Sequence, residues 1–195
     1  MKILATFAVA FLVTLSVFAQ GSYQLGQKVQ NFTLKDASNK NVSLSDFANA
    51  KTVVLVFTTN NCPYSKQYEN RLLALTKNYA GRNVQFVFVN PSVGLQDGGE
   101  TLQEMAGKNY TFPYLADEGQ KLAGRFGATK TPEVFVLHNT NGEFILKYKG
   151  AIDDNPQAEN FVNEYYLKNA IDALLNNGNP KTVDRRATGC MIKKY

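Results

Sequence analysis

Val53-Val54-Leu55-Val56-Phe57 is an unbroken apolar run, and Val84-Gln-Phe-Val-Phe-Val89 is nearly one. Runs of this length predict strands buried on both faces. Between them Tyr64, Tyr68, Leu72, Leu75 and Tyr79 recur at helical spacing, and the stripe ends near Gly81. Strand, helix and strand in this order predict a βαβ unit with parallel strands and a right-handed crossover. Upstream, 31–36 and 41–44 alternate and are joined by 37–40, which predicts a hairpin; Ser45-Asp46 can then cap a short helical turn before Lys51. Downstream, 91–99 is a loop, 101–108 a short helix, 112–115 an extended piece, and 120–126 a helix closed by Gly127. Val134-Phe-Val-Leu137 predicts another strand. Asn141-Gly142 is a type I′ turn signal, so Phe144–Tyr148 should pair back antiparallel. A last amphipathic helix is expected over 161–175, before Asn176-Asn177-Gly178. The pattern is that of an α/β domain with a mixed central sheet and an N-terminal β-hairpin.

The first nineteen residues fall outside this pattern. Lys2 precedes an apolar run from Ile3 to about Val17, and Val17 and Ala19 occupy the positions a signal peptidase reads. We expect residues 1–19 to be a secretory signal peptide, too short for a stable membrane span. No cysteine follows the run to carry a lipid. The expected organisation is then 1–19 leader, 20–176 domain and 177–195 basic tail carrying Cys190, with a secreted or periplasmic location. The net charge of +5 on 195 residues has a local source. Lys181, Arg185, Arg186, Lys193 and Lys194 crowd the tail against Asp184, and the body is near neutral, so nothing else supports nucleic-acid binding. The tail has no regular apolar period and reads as a solvated end.

The chemistry gathers at Thr58-Thr-Asn-Asn-Cys-Pro-Tyr-Ser-Lys66. Pro63 suits the first turn of a helix. Cys62 therefore stands at a helix N-terminus, where unpaired N–H groups and the helix dipole stabilise a thiolate and lower the thiol pKa. The flanking residues are turn and cap formers, which favour a partly exposed, reactive cysteine over a buried hydrophobe. Lys66, one turn on, can assist the thiolate or simply be solvated; Glu69 can pair with it at i,i+3. His138 is the sole histidine, too few ligands for a zinc or copper site, and no cofactor is expected.

Asn61-Cys-Pro-Tyr-Ser-Lys66 between strand and helix resembles the redoxin branch of the thioredoxin-like superfamily. Asn31-Phe-Thr-Leu-Lys-Asp36, Val42–Phe47, Thr131-Pro132, Gly150–Asn155 and Gly189-Cys-Met-Ile-Lys193 match in the same order. The two endings resemble a peroxiredoxin-like subgroup with a terminal Gly-Cys-x-Ile-Lys. The resemblance implies a thioredoxin-like three-layer sandwich and a cis Thr131-Pro132 bond. It also implies an edge beside Cys62 that pairs with extended substrate backbone, so that Thr59, Pro63, Thr131 and Pro132 bind substrate. Asp153 and Asp154 would lie near the cysteine, where one could accept a proton. Ser65 stands where thioredoxins have a second cysteine. Thr59 matches the peroxiredoxin threonine, but Leu55 stands at its proline.

Three functions stay open. In the first, Cys62 is the nucleophile and Cys190 resolves the mixed disulfide or sulfenic acid it forms. The partners would be protein thiols and disulfides or small peroxides, together with an unidentified reductant. In the second, the chain is a non-catalytic thioredoxin-fold binding module. In the third, Cys62–Cys190 is a structural staple, worth about 4–5 kcal/mol in the chain-entropy model for so long a loop.

Overall fold

The computed structural model describes residues 21–194; the expected signal peptide lies outside them. Its centre is β3 (Thr52–Phe57), flanked by β4 (Val84–Asn90) in parallel and β7 (Glu133–Thr140) antiparallel. On the far side of β4 lie β5 (Tyr114–Ala116), β1 (Thr33–Asp36) and β2 (Asn41–Ser43). On the far side of β7 lie β8 (Glu143–Gly150) and β9 (Asp184–Arg185). The order across this eight-stranded mixed sheet is β2-β1-β5-β4-β3-β7-β8-β9. A separate two-stranded ribbon joins β6 (Lys130–Thr131) to β10 (Cys190–Met191).

The unbroken apolar runs are explained by layers on both faces. Val54, Val56, Phe86, Phe88, Val134 and Val136 face a core closed by α1 (Pro63–Asn78), by Met105 of the short α2 (Leu102–Ala106) and by α4 (Tyr166–Leu175). Val53, Leu55, Phe57, Val87, Val89 and Phe135 face a second core, closed by α3 (Lys121–Phe126) and by Tyr23, Val29 and Phe32. This is the expected three-layer arrangement. Both hairpins form: β7 and β8 meet at Asn141 and Gly142, both at positive φ, as a type I′ turn requires. Asp36 Oδ1 accepts from Ser38 N and Lys40 N at 2.8 and 2.9 Å and so closes the β1–β2 turn.

Several boundaries differ from the sequence reading: the helix expected over 101–108 spans Leu102–Ala106, and the extended piece expected at 112–115 is Tyr114–Ala116. The short turn before Lys51 (Leu44–Phe47, a 3-10 helix) is capped by Ser43, whose N–H donates to Asp46 Oδ2 at 2.8 Å. The last helix begins at Tyr166 rather than 161. Asp154 explains the delay, because it claims the preceding backbone: its N–H donates to Glu164 O at 3.1 Å, and its Oδ1 accepts from Asn163 N at 3.0 Å. Phe161 is left 68% exposed.

The basic tail carries two short strands, β9 and β10, while Lys181, Arg185, Arg186, Lys193 and Lys194 stay exposed. β9 runs parallel to the end of β8, with Ala151 N donating to Arg185 O at 2.9 Å. The approach is so close that a Cβ on Gly150 would lie 1.7 Å from Arg185 O, and Gly150 has φ +119°. Glycine is required there. Beyond β9, Ala187 is buried and the chain crosses to the end of the sheet where α1 begins. Among the described residues no helix is long and apolar enough to cross a membrane.

Candidate active site at the start of the first long helix

Cys62 is the N-cap of α1 and Pro63 is its N1 residue; the first helical bond, Lys66 N to Cys62 O, is 3.0 Å. The connection from β3 is held from several directions. Thr58 N donates to Val89 O at 2.9 Å, and Ser65 Oγ accepts from Thr59 N at 3.4 Å. Ser65, at the position of a second cysteine, is buried and faces the loop.

Glu100 is the residue that sequence reasoning missed. It is 2% exposed, and its carboxylate accepts from Asn60 N at 3.0 Å, Asn61 N at 2.9 Å and Asn90 Nδ2 at 2.7 Å. A buried carboxylate is tolerable only with such a full set of donors. Tyr114 OH completes the cluster by donating to Asn60 Oδ1 at 3.0 Å. Burial, and then the charge of Glu100, push the Tyr114 hydroxyl well above its ordinary range, so it stays a donor. An acid in a loop region, 40 and 39 residues from the two backbone N–H groups it holds, carries no sequence signal of this role. Glu100→Gln keeps the shape but offers one acceptor oxygen to three donors. It should cost about 2 kcal/mol, because a buried donor loses its partner. Urea unfolding would show this as a lower midpoint at unchanged slope.

Opposite Cys62 stands β6. The Thr131–Pro132 bond is cis, as the resemblance implied. Thr131 is buried, its carbonyl oxygen lies 3.1 Å from Cys62 Sγ, and its Oγ1 is 3.5 Å from Thr59 Oγ1. In the reduced protein the thiol could donate to that carbonyl; a disulfide sulfur has no proton to give. Glu133 braces the approach to β6, accepting from Thr129 N at 2.8 Å and Lys130 N at 3.0 Å. Burial raises its carboxyl pKa, and those two N–H groups oppose the rise.

Cys190 reaches this point from the tail. It forms a disulfide with Cys62, S–S 2.06 Å and Cα–Cα 6.0 Å, and pairs antiparallel with Thr131 through β10. The structure therefore brings together Cys62, Cys190, Thr59, Thr131 and Pro132, with Pro63 exposed on the helix start. Cys62 is 5% exposed in this oxidised form, less than the partly open setting expected, because the tail covers it.

The remaining candidates lie elsewhere. Lys66 is exposed. Glu69 pairs instead with Lys108 at 2.8 Å and accepts from Tyr110 OH at 2.7 Å. Burial disfavours its charge, but those hydrogen bonds and the charges of Lys108 and Lys66 hold its carboxyl below the ordinary range. Asp153 does not face the cysteine as a free base; Tyr68 OH at 2.7 Å, Arg71 Nη1 at 2.8 Å and Asn155 N at 3.0 Å engage both its oxygens. His138 lies in β7, its pKa lowered by burial and by the charges of Lys51 and Lys147, so it is neutral near pH 7. Among the described residues no group of three or more His, Cys, Asp or Glu is placed to hold a metal.

Comparison with known proteins agrees with this geometry. A hypothetical protein from Sinorhizobium meliloti 1021 superposes with a TM-score of 0.79 at 30% identity, over 90% of this chain and 97% of the other. An uncharacterized conserved protein from Geobacillus kaustophilus gives 0.78 at 28% identity, over 88% and 93%. The exposed lipoprotein thioredoxin of Streptococcus pneumoniae, at 19% identity, TM-score 0.53 and coverage of 66% and 94%, shares the fold. No functionally curated protein matches significantly. The AhpC/TSA family pattern matches residues 25–155, a span that carries the hairpin, the cysteine at its helix start, Glu100 and the cis-proline edge; on that match the chain belongs to the AhpC/TSA family.

Proposed function

We propose that this protein is an extracytoplasmic thiol–disulfide oxidoreductase with Cys62 as nucleophile and Cys190 as resolving cysteine. The observation that carries the reading is the bond between a helix-capping cysteine and a cysteine delivered by a separate strand. The Cys62 thiolate attacks a substrate disulfide, forming a mixed disulfide and expelling one substrate thiolate. Cys190 as thiolate then attacks the Cys62 sulfur, releasing the second substrate thiol and closing Cys62–Cys190. The substrate gains two electrons and the protein loses two; an external dithiol reductant restores the pair.

Ser65 cannot take the resolving role, which leaves it to Cys190. The helix N-terminus favours the thiolate on Cys62, and Thr59, Pro63, Thr131 and Pro132 form the substrate edge. Disulfide exchange fits better than peroxide reduction, because Leu55 stands at the proline of the peroxidase motif. An oxidising compartment suits a chain whose two cysteines are bonded to each other. Residues 1–19 as a leader would deliver the protein there, as a domain of 20–176 with 177–195 as a working tail.

The test is trapping. With glutathione disulfide, reduced Cys190→Ser should accumulate a lasting mixed disulfide on Cys62, seen by intact mass and peptide mapping. Reduced wild type should pass through that species and end as Cys62–Cys190. No attachment to Cys62 of Cys190→Ser, or a wild type that never closes its bond, contradicts the proposal.

A further inference from the structure

Glu100 sits where a carboxylate can act on the cysteine without touching it. It stands just before α2, and its oxygens are shared among Asn60 N, Asn61 N and Asn90 Nδ2. Two of these are the backbone N–H groups of the residues that immediately precede Cys62. All three partners are donors, which suits an anion. The Glu100 backbone is fixed as well: its N–H donates to Ser92 O at 2.9 Å, and its carbonyl accepts from Gly94 N at 3.2 Å.

Chain geometry bounds the distance to the sulfur. From the Asn61 N–H that the carboxylate accepts, one N–Cα and one Cα–Cα step lead to Cys62, so the carboxylate lies within about 11 Å of Sγ. The surroundings are dry, since Thr59, Cys62, Asn90 and Glu100 are all buried. At that distance, and at an effective dielectric of about 20, a unit charge moves a thiol by about one pKa unit. The other ionisable groups at this end are spread over several elements. Lys66 on α1 and Lys193 in the tail are exposed, and Lys130 on β6 is half-buried. Glu133 on β7 is spent on the Thr129 and Lys130 N–H groups, and Glu69 on Lys108 and Tyr110. Cys190 is the remaining thiol. The lysines favour a thiolate, but solvent screens exposed charges most. Glu100 opposes it from the buried side, where screening is least.

We propose that Glu100 is a positioning residue for Cys62: it holds the loop before the cysteine, and its charge keeps the thiolate less stable than the helix start alone would make it. This deepens the proposed function and rests on it. The helix N-terminus lowers the thiol pKa, and Glu100 limits the drop. The same charge acts on the redox equilibrium. A dithiol reductant gives two electrons to Cys62–Cys190 and itself becomes a disulfide. Of its two protons, one stays on Cys190 and one goes to solvent when Cys62 ends as the thiolate. A charge that opposes this thiolate makes the bond harder to reduce and the reduced pair a stronger reductant. Glu100 thereby biases the site toward reducing the disulfide of its substrate.

The experiment reads iodoacetamide alkylation of Cys62 across pH, by intact mass, in reduced full-length Cys190→Ser, where Cys62 is the sole thiol. Adding Glu100→Gln should lower the midpoint by about one unit. Glu100→Asp disturbs the same hydrogen bonds but keeps the charge, and should move the midpoint by less than half as much. With both cysteines present, Glu100→Gln should raise the reduction potential of the bond in glutathione buffers by up to about 30 mV, the equivalent of a tenfold change. An unchanged or higher midpoint in Glu100→Gln, or equal shifts in Glu100→Gln and Glu100→Asp, reduces Glu100 to a brace and overturns the proposal. If Cys62 still traps glutathione in that case, the proposed function stands; no trapping on Cys62 overturns both. Should Glu100→Gln fail to fold, reduced Cys190→Ser carrying isotope-labelled glutamate gives the same answer by NMR. The Glu100 carboxyl resonance should inflect at the Cys62 midpoint and stay still once Cys62 is alkylated. A resonance that does not respond to Cys62 overturns the proposal.

Discussion

Cys62→Ser should bring turnover of any disulfide or peroxide substrate down to the rate without protein. The nucleophile is a thiolate, and a serine hydroxyl at neutral pH offers no comparable anion. Its setting at the N-cap of α1, with Pro63 following, puts the sulfur at the positive end of the helix dipole, where an anion is favoured. The reduced wild type should accordingly be alkylated at Cys62 with a midpoint below the model thiol value of about 8.5. Cys190→Ser differs in kind from Cys62→Ser, because it leaves attack intact and removes only resolution. A Cys62→Ser protein that kept wild-type turnover would move the chemistry to another residue.

Arg71→Ala should cost about 3–5 kcal/mol of stability, because it leaves a buried carboxylate uncompensated. Arg71 and Asp153 are 8% and 3% exposed, and their contact is 2.8 Å. Arg71 also donates to the carbonyls of Asn155 and Pro156 at 2.6 and 3.1 Å, and its guanidinium lies 4.5 Å from the Tyr68 ring centroid. One side chain of α1 thus fixes the loop after β8, from which α4 departs. Urea unfolding measures the loss, and Arg71→Ala with Asp153→Ala should cost less than the sum of the two. A loss below about 1 kcal/mol would show that the loop holds without the pair.

The layers were legible because both core strands and α1 follow simple periods. Val53–Phe57 is buried at every position, and so are Tyr68 and Leu72 on α1 and Tyr79 at its C-cap. Turn chemistry was equally direct at Asn141-Gly142. The start of α4 was not, since Phe161 and Val162 are apolar but the Asp154 side chain and backbone hold 163–164 out of the helix. At the site, Cys62 and the Thr131-Pro132 edge could be placed from strand, helix and resemblance. The tail could not. Its strands are two residues each, with no apolar period, and they exist because Gly150 and Gly189 let backbone approach backbone. Glu100 was hidden for a related reason. Its partners are mainly backbone N–H groups, which any sequence possesses.

The central claim is that Cys62 and Cys190 are a working redox pair, and the reduction potential of their bond tests it most directly. Full-length protein equilibrated in graded glutathione and dithiothreitol buffers, quenched in acid and weighed, gives the reduced fraction at each poise. The account predicts a reduction potential above about −300 mV, within reach of biological thiol reductants. A bond that stays closed at that poise and opens only below it would be an inert staple, and the account would be wrong.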